Sequence, residues 1–351
     1  MLVCIHPNIK LNELGHDTRR FIEILDANGI SNELVYAGSE DFWDKINQCD
    51  LFIYQWNVSD YHRQIAKSIL PIIENRMKIK CYPNSLSSWI YDDKIREYYL
   101  LKQHDFPFAK CWIFYDKTNA EAFVRKSRYP IIFKLRSGAG SRMVRMIRNR
   151  SEAVQYVNLM FGRGIGYHSG LPGDLADGIR RMGMQKLLRV KLGGIRKKIT
   201  SRDAFSQDWA THKNYILFQK FMPGNAYDTR VAVVGKRAFA FQRLNIVNDF
   251  RASGSQNYNF DPDAIDLKFV DLAFRISRTF GFDTMAYDFL YDENGQASLV
   301  EISYAFAATK GSEASKCPGY WDENMNWHPG AMEIPHCILM DLLEMPQLKA
   351  S

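Results

Sequence analysis

The sequence predicts an α/β protein that begins with a parallel α/β layer and continues as two α+β lobes. Short apolar strands alternate with helix-like segments up to about residue 85, a pattern typical of parallel sheets. Further along, strands join through tight turns such as Gly235-Lys236, which indicates antiparallel sheets. The predicted domains are residues 1–86, residues 87–221 with an insert at 162–213, and residues 222–351.

The composition is that of an ordinary globular protein. The chain has 351 residues, of which 46% are hydrophobic and 24% charged, so two or three packed units are expected. Six cysteines are widely spaced without a CxxC pair, which argues against a zinc ribbon and favours a reducing, cytoplasmic location. The stretch MLVCIHPNIK predicts a first strand and not a signal peptide. Every apolar stretch is shorter than the roughly 20 residues that span a bilayer.

The first domain is predicted from three apolar runs and the segments between them. Residues 2–6, 33–37 and 51–54 are predicted strands. The segments DTRRFIEILDANGI and SEDFWDKINQC have helical spacing, and Gly29 supplies a stop signal for the first of them. This layer is expected to end near CYPNS at residues 81–85.

The remaining elements follow from the same periodicities. In the second domain we predict helix 92–104, strand 111–115, helix 118–127, strands 130–135 and 142–147, and helix 151–161. The later elements are strand YILFQKF, strands 229–235 and 237–243, helix 264–279 and a hairpin across DENG.

A glycine-rich stretch interrupts two of these strands. Lys134 ends an apolar run, and Ser-Gly-Ala-Gly-Ser follows at residues 137–141. Backbone N–H groups of such a loop can converge on phosphate oxygens, with a nearby lysine adding charge. The pattern is neither GxxxxGK[ST] nor a dinucleotide fingerprint, because a strand follows it. A phosphate-binding loop and a plain hairpin loop both remain open.

Two acids are expected to face each other on the DENG hairpin. If Asn294-Gly295 forms a two-residue turn, Asp288 lies directly opposite Glu301 among apolar neighbours. Two buried like charges repel, and a divalent cation between them would relieve the repulsion. Mg²⁺ suits two carboxylates better than Zn²⁺ does. The alternative is a solvated acidic pair.

Four motifs stand in a fixed order along the chain. They are SWIYDDK with Lys94, IIFKLRSGAGS with Lys134, ILFQKFMPGNAYDTRVAVVGK, and the pair Asp288 and Glu301. This order resembles the ATP-grasp superfamily, in particular the branch of ribosomal-protein glutamate ligases and glutathione synthetase, with D-alanine–D-alanine ligase more distant. The resemblance covers residues 1–310 apart from the insert, and implies an ATP-grasp fold with an N-terminal pre-ATP-grasp domain.

The resemblance also implies ATP and Mg²⁺ as cofactors, with Mn²⁺ as an alternative metal. ATP contacts would come from Lys94, Lys134, Ser137, Gly138, Ala139, Gly140, Ser141, Gln219, Lys220, Phe221, Met222 and Asp228. Catalytic positions near the phosphates and the acceptor would be Arg230, Arg243 and Arg251. Metal ligands would be Asp288, Glu301 and Ser303.

Three positions depart from the family pattern. Ser303 stands where asparagine is usual and is a weaker metal ligand. Gln219 stands where glutamate is common at the hinge. The glycine-rich acceptor stretch is reduced to RASGSQN at residues 251–257.

The activity implied by the resemblance is amide formation from a small carboxylate and an amine. The γ-phosphate activates the carboxylate as an acyl phosphate, the amine attacks it, and ADP and phosphate leave. Two alternatives stay open: a kinase that stops after phosphoryl transfer, and a non-catalytic nucleotide-binding partner in envelope or glycan assembly.

The insert carries a concentrated basic charge. Residues 175–202 hold nine lysines and arginines against a single acid, Asp177, while the whole chain has a net charge of +7. Leu188, Leu192, Ile195 and Ile199 recur at helical spacing, interrupted by Gly193-Gly194. We expect the insert either to dock on an acidic polymer or on anionic lipid at the inner face of the membrane, or to form a solvated helix. In the docking case it would recruit an anionic acceptor or a lipid-linked, cell-envelope glycan intermediate. The lack of interleaved aromatic residues disfavours nucleic acid, and a homo-oligomer is left open.

Neutralising the insert tests the docking interpretation. Replacing Arg196, Lys197 and Lys198 by glutamine should weaken binding to anionic vesicles or to an acidic polymer, because each cation near such a surface contributes about 1 kcal/mol. Co-sedimentation at low salt, with neutral vesicles as the control, measures this. Equal binding of the variant and the wild type would contradict the interpretation.

Overall fold

A computed structural model describes residues 1–10, 13–56, 59–138, 144–166, 211–246, 249–252, 254–308 and 311–350. The basic window 175–202, and with it the predicted amphipathic helix, lies outside the described residues. The chain divides into two compact units. The first unit comprises Met1–Phe108, Tyr227–Arg243 and Tyr258–Ser351, and the second comprises Ala109–Ala226 and Leu244–Asn257. The division into three domains stays a prediction.

The first unit opens with the predicted alternation of strands and helices. The elements in order are β1 (Leu2–Ile5), β2 (Ile9–Lys10), β3 (Glu13–Leu14), α1 (His16–Ala27), β4 (Ser31–Leu34), α2 (Phe42–Ile46), β5 (Leu51–Ile53), α3 (Asp60–Asn75), β6 (Lys80–Tyr82), α4 (Ser85–Ile90) and α5 (Lys94–Gln103). The predicted α/β class is confirmed, because these strands form a parallel sheet in the order β4-β1-β5-β6.

Burial explains why these short strands form. Val3, Phe52 and Ile53 are fully buried, as expected for a sheet covered on both faces. Helix α1 covers the sheet with Phe21 and Leu25, both fully buried. Helix α3 is not among the elements predicted from the sequence. Pro71 lies inside it and lacks the backbone donor that a helix interior uses, which makes this segment a poor helix candidate by sequence.

The second unit contains an antiparallel sheet flanked by helices. Its elements are β7 (Cys111–Phe114), α6 (Lys117–Lys126), β8 (Ile131–Lys134), β9 (Val144–Ile147), α7 (Arg150–Met160) and β10 (Ile216–Lys220). The strand order is β7-β10-β8-β9. Phe133 and Phe218 are fully buried, and the Phe133 ring lies 4.5 Å from that of Tyr156 in α7. The predicted strands and helices of this segment are confirmed.

The rest of the chain completes the first unit around a larger sheet. Its elements are β11 (Tyr227–Val234), β12 (Arg237–Leu244), β13 (Tyr258–Asn259), a 3₁₀ turn (Pro262–Ala264), α8 (Leu267–Phe280), β14 (Thr284–Tyr291), β15 (Ala297–Ser303), α9 (Glu313–Lys316), β16 (Gly319–Asp322), β17 (Trp327–Pro329) and α10 (Ile334–Leu343). The sheet has the order β15-β14-β11-β12-β16-β17, and β13 pairs with β12.

Alternate residues of the larger sheet enter two separate cores. Val231 and Tyr287 share one core with Phe269 of α8. Ala232 shares the other core with Leu339 of α10. Since side chains alternate between the faces of a strand, every second residue of β11, β12 and β14 faces α10. None of the helices among the described residues is both long and apolar enough to cross a membrane.

The hairpin of β14 and β15 reaches the predicted pairing by an unexpected route. The predicted two-residue turn is wrong, since the strands close at Tyr291 opposite Ala297. The five-residue loop between them is held by Asp292 Oδ1, which accepts the N–H groups of Asn294 and Gln296, both at 2.8 Å.

A register shift next to Asp288 compensates for the longer loop. Phe289 lies opposite Leu299, whereas Asp288 lies opposite Glu301, so Val300 is an extra, bulged residue. The predicted pairing of Asp288 with Glu301 is therefore confirmed.

Two buried histidines lie at the carboxyl end of the parallel sheet. His6 follows β1, and its ring lies 4.1 Å from that of Tyr54 after β5. The Tyr54 hydroxyl is 2.7 Å from Nδ1 of His62 in α3. Burial lowers the pKa of His6 to about 4 and that of His62 to about 4. Both rings are therefore neutral at pH 7.

This burial predicts a pH dependence of stability. Between about pH 6.5 and pH 4 the unfolded chain binds protons that the folded histidines refuse, so the unfolding free energy falls as the pH is lowered. Each histidine contributes up to about 1.4 kcal/mol per pH unit in that window. When the unfolding free energy is measured by urea at several pH values, it should fall less steeply between about pH 6.5 and pH 4 in His62→Gln than in the wild type. The same change at exposed His104 is the control, and an unchanged slope in His62→Gln would contradict the prediction.

Candidate functional site

Four charged side chains form a buried cluster on the larger sheet. Asp228 and Arg230 lie two apart on β11, and Arg243 lies on the neighbouring β12. Arg230 pairs in register with Asp288 of β14. Alternation puts all four side chains on the face that α10 covers further along the sheet. The strand pairing thus brings together residues that were predicted to have three different roles: ATP contact for Asp228, catalysis for the two arginines, and metal binding for Asp288.

The cluster is held by forked hydrogen bonds. Arg230 Nε and Nη2 donate to the two carboxylate oxygens of Asp288 at 2.7 and 2.8 Å. Arg243 donates to both oxygens of Asp228 at 2.6 and 2.7 Å, and its Nη2 lies 2.7 Å from Asp288 Oδ2. Contacts in which one arginine donates two hydrogen bonds to one carboxylate are among the strongest charged interactions in proteins.

Electrostatics keep Asp288 ionised. Burial alone would raise the pKa of its carboxyl, but the charges of Arg230 and Arg243 outweigh burial and hold that pKa well below its ordinary value. The pKa of Arg243 is correspondingly raised: burial opposes the shift, and the charges of Asp288 and Asp228 outweigh it. The cluster has two positive and two negative groups and is neutral as a whole.

A second ion pair adjoins β15, the strand that carries Glu301. Helix α5 begins at Lys94, after Asp93 caps it by accepting the N–H of Arg96. The Lys94 side chain is 5% exposed, and its Nζ lies 3.0 Å from Glu301 Oε1. Burial opposes its charge, yet Glu301 and Asp92 outweigh burial and raise the pKa of Lys94. Lys94 is therefore positively charged in a buried position.

Glu97 belongs to this site and is missed by sequence reasoning. It is 1% exposed, and its Oε2 accepts the N–H of Ile302 at 3.1 Å. Burial raises the pKa of Glu97 well above its ordinary value, although the charge of Lys94 acts against this rise. The available signal was its place three residues after Lys94, which puts both side chains on one face of α5.

Ser303 lies two residues beyond Glu301, at the end of β15. Its hydroxyl donates to the carbonyl oxygen of Ala305 at 2.8 Å. The oxygen lone pairs are still able to face a cation. No group of three His, Cys, Asp or Glu side chains suitable for a metal ion occurs among the described residues. A cation at this hairpin would therefore rely on two carboxylates, the hydroxyl and groups from the substrate.

The end of β15 is tied to the parallel sheet. The Tyr304 hydroxyl donates to the Trp56 carbonyl oxygen at 2.6 Å and accepts the Trp56 N–H at 3.0 Å. Beside them Arg63 of α3 forms an ion pair with Asp92, two residues before Lys94. These contacts fix the end of β15 and the start of α5 within one unit.

The predicted phosphate loop begins in the second unit. Lys134 ends β8, is 7% exposed, and lies in register with Leu217 and Val144. Ser137 is buried, and its hydroxyl is 3.0 Å from His212 Nε2. Gly138 has φ of +126°, a conformation that favours glycine. The loop positions Ala139, Gly140 and Ser141 lie outside the described residues.

The predicted hinge continues β10 of the same unit. Gln219 is 3% exposed, and its Nε2 donates to Cys111 Sγ at 3.5 Å. The backbone N–H of Lys220 donates to the carbonyl oxygen of Lys110 at 2.8 Å. The Phe221 ring contacts Phe250 edge-on at 6.0 Å. Met222, the last hinge position, is 6% exposed.

Arg251 belongs to the second unit, whereas the arginines of the buried cluster belong to the first. Its Nη2 donates to Asp249 Oδ2 at 2.7 Å, and its Nη1 donates to the carbonyl oxygen of Val144 at 3.2 Å. The structure therefore brings Arg230 and Arg243 together but gives Arg251 a separate partner. Its predicted catalytic role stays a prediction.

No family model matches this chain. The α-aminoadipate–LysW ligase LysX of Saccharolobus solfataricus is 33% identical over 118 residues, which is 32% of this chain and 38% of that relative. This match therefore spans well under half of the relative's length.

Solved structures match much more of the chain. A RimK domain protein of Sphaerobacter thermophilus, described as ATP-grasp, gives a TM-score of 0.51 at 14% identity, covering 89% of this chain and 94% of its own. Biotin carboxylase of Campylobacter jejuni gives 0.54 at 13% identity, covering 97% and 70%. D-Alanine–D-alanine ligase of Bacillus anthracis gives 0.50 at 12% identity, covering 90% of each chain. This chain has an ATP-grasp fold.

The predicted ATP-grasp fold is thus confirmed, and its predicted site residues fall in both units. The first unit holds Lys94, Asp228, Arg230, Arg243, Asp288, Glu301 and Ser303. The second unit holds Lys134, Ser137, Gly138, Gln219, Lys220, Phe221, Met222 and Arg251. The individual roles assigned to these residues stay predictions.

Mutation can measure how much the cluster of Asp228, Arg230, Arg243 and Asp288 contributes to stability. Arg243→Met removes the cation between Asp228 and Asp288 and should lower the unfolding free energy by about 3–5 kcal/mol, since it leaves buried carboxylates undercompensated. Urea unfolding without nucleotide or metal measures this.

Arg237→Met is the matched control on the same strand. Arg237 pairs with Asp341 at 3.0 Å, but the two side chains are 20% and 34% exposed, so a loss of about 0–1 kcal/mol is expected. Equal losses for the two variants would contradict the assigned importance of the cluster.

Proposed function

We propose that this ATP-grasp protein is an ATP-dependent ligase that joins a small carboxylate to an amine through an acyl phosphate. The observation that carries the proposal is the opposed pair of Asp288 and Glu301, flanked by Lys94, Arg230 and Arg243. The name of the Saccharolobus relative describes a ligase acting on α-aminoadipate and LysW, and D-alanine–D-alanine ligase has the same fold. Both support amide formation as the reaction class.

The residues present fit Mg²⁺. Asp288 and Glu301 offer hard oxygen donors from one face of a hairpin, and Asp288 is held ionised. Glu301, with its side chain 34% exposed, is the more open donor, and the hydroxyl of Ser303 follows it on the strand. When bound, Mg²⁺ would neutralise charge on the phosphate oxygens and so favour phosphoryl transfer.

The three cations of the first unit have distinct tasks in this proposal. Lys94, held against Glu301, would turn its ammonium group toward a phosphate oxygen that enters beside it. Arg230 and Arg243 present planar guanidinium groups that suit a carboxylate or an oxyanion. Because Asp228 and Asp288 already fix these arginines, little reorganisation is required when the substrate binds.

The resemblance assigns further ATP contacts to residues of the second unit. Lys134, Ser137 and Gly138 would contact the phosphates, and the strand end at 219–222 would contact the adenine. Gln219 and Met222 are both buried at this strand end, and an enclosed site suits a flat base. The Bacillus anthracis ligase is described as complexed with ATP, which agrees with ATP as the nucleotide.

The acceptor is proposed to be anionic, or to be carried by an anionic surface or polymer. The support is the charge of residues 175–202, which include nine basic residues and one acid. Clustered cations of this kind attract acidic partners at long range, in a manner that salt weakens.

ADP release tests the proposed reaction. The full chain, with ATP and Mg²⁺, should release ADP only when a carboxylate and an amine are both present, in a screen of amino acids, short peptides and uronic acids. Asp288→Asn and Glu301→Gln should each reduce turnover at least about 100-fold, because both weaken charge neutralisation at the phosphates. Arg237→Met is the matched control, because Arg237 pairs with Asp341 and is not one of the proposed site residues.

Each other outcome has a definite meaning. Release with a single phosphoryl acceptor indicates a kinase, and ATP binding without any release indicates a non-catalytic partner. Full turnover of Asp288→Asn would show that the metal ligands are assigned wrongly.

A further inference from the structure

Glu97 is a glutamate whose side chain is almost completely buried, which is unusual for a carboxyl group. It lies in the first turn of α5 and is 1% exposed. Burying a carboxyl group is unfavourable unless its oxygens form hydrogen bonds or ion pairs. Oε2 is used, since it accepts the backbone N–H of Ile302 at 3.1 Å. Oε1 is buried and makes no hydrogen bond within the part of the chain that is described.

The amide that Glu97 holds lies between two predicted metal ligands. Ile302 separates Glu301 from Ser303 on β15, and its own side chain is buried in the core. A peptide unit fixed at this point fixes the Cα positions on either side of it. The directions in which Glu301 and Ser303 leave the strand therefore depend on where the Ile302 amide is held.

Helix α5 contacts the same short segment at a second point. Lys94, three residues before Glu97, reaches the side chain of Glu301 at 3.0 Å. One helix face thus makes a backbone contact and a side-chain contact within two consecutive residues of β15. The β15 strand is bulged at Val300, immediately before this segment, so its ladder is locally interrupted there.

We propose that Glu97 is a positioning residue for the metal-binding strand: by holding the Ile302 amide it sets the aim of Glu301 and Ser303 relative to Lys94. The inference rests on the proposed function for the roles of those residues. Groups that orient metal ligands without touching the metal typically change metal affinity about 10- to 100-fold when removed.

A purely structural role makes a different prediction. A Glu97 that only fills space would change thermal stability when replaced, but a residue of similar length would restore it. The affinity for metal would then be unchanged in every folded variant. Metal affinity and local backbone exchange therefore separate the two roles, whereas stability alone does not.

Two substitutions make the test specific. Glu97→Met keeps the length of the side chain but removes the acceptor of the Ile302 amide. Glu97→Gln keeps an oxygen acceptor for that N–H group. Lys102→Met, an exposed position on the same helix, controls for a general effect on α5.

The measurements use the full chain with Mn²⁺ alone and with Mg²⁺ and ATP. Paramagnetic resonance titration with Mn²⁺ should show an affinity about 10- to 100-fold lower for Glu97→Met, and the Mg²⁺ concentration needed for ATP binding should rise by a similar factor. Glu97→Gln should stay within about threefold of wild type, since its amide oxygen retains the bond. In metal-free protein, hydrogen exchange of the 297–303 segment should be faster in Glu97→Met alone.

Unchanged metal affinity, or unchanged exchange, in folded Glu97→Met would overturn the proposal. A change of more than about threefold in the Mn²⁺ affinity of folded Glu97→Gln would also overturn it, and this result can be read whether or not Glu97→Met folds. Failure of the proposed function is distinguishable from this. A wild-type chain that binds no ATP would refute the ligase, while the Mn²⁺ and exchange measurements would still decide the role of Glu97.

Discussion

The pairing of Asp288 with two arginines is the interaction on which the site depends. Asp288 lies in the middle of a buried sheet, where an isolated carboxylate would take up a proton or disrupt packing. Arg230 and Arg243 keep it charged, and Asp228 in turn balances Arg243. Three adjacent strands must therefore hold a fixed register for any of these groups to be tolerated. The same register places Glu301 opposite Asp288, so the strand pairing that compensates the charges also assembles the proposed catalytic groups.

Much of the fold could be predicted from periodicity, because most strands are short apolar runs with clear ends. Strands β1, β8 and β10 are examples. The helix α3 could not, since Pro71 obscures its pattern. The hairpin shows a different limit. Its turn was assigned from the Asn294-Gly295 pair alone, but Asp292 organises a longer loop, and a bulge at Val300 then restores the pairing. The bulge could not be predicted, because the sequence around Val300 is equally compatible with a regular strand.

The candidate site was predictable to the extent that its residue types carry chemistry. Buried acids and a lysine on an apolar strand stand out, as Asp288 and Lys134 do. Glu97 does not stand out, because a glutamate in the first turn of a helix usually lies on the surface and favours the helix dipole. Its burial follows from the docking of α5 on β15, which is a tertiary contact. The ion-pair partners were likewise not readable from the sequence, because the contact of the Asp228 carboxylate with Arg243 depends on the pairing of β11 with β12.

The bulge at Val300 has a consequence for engineering this hairpin. The register changes at the bulge, which lies between the loop and the paired acids. The pairing of Asp288 with Glu301 therefore does not depend on the length of the loop at the tip. The tip at 292–296 is solvent-facing for most of its length. It is therefore a suitable place to graft a fluorescent-protein partner or an affinity epitope, while the acids deeper in the sheet retain their orientation.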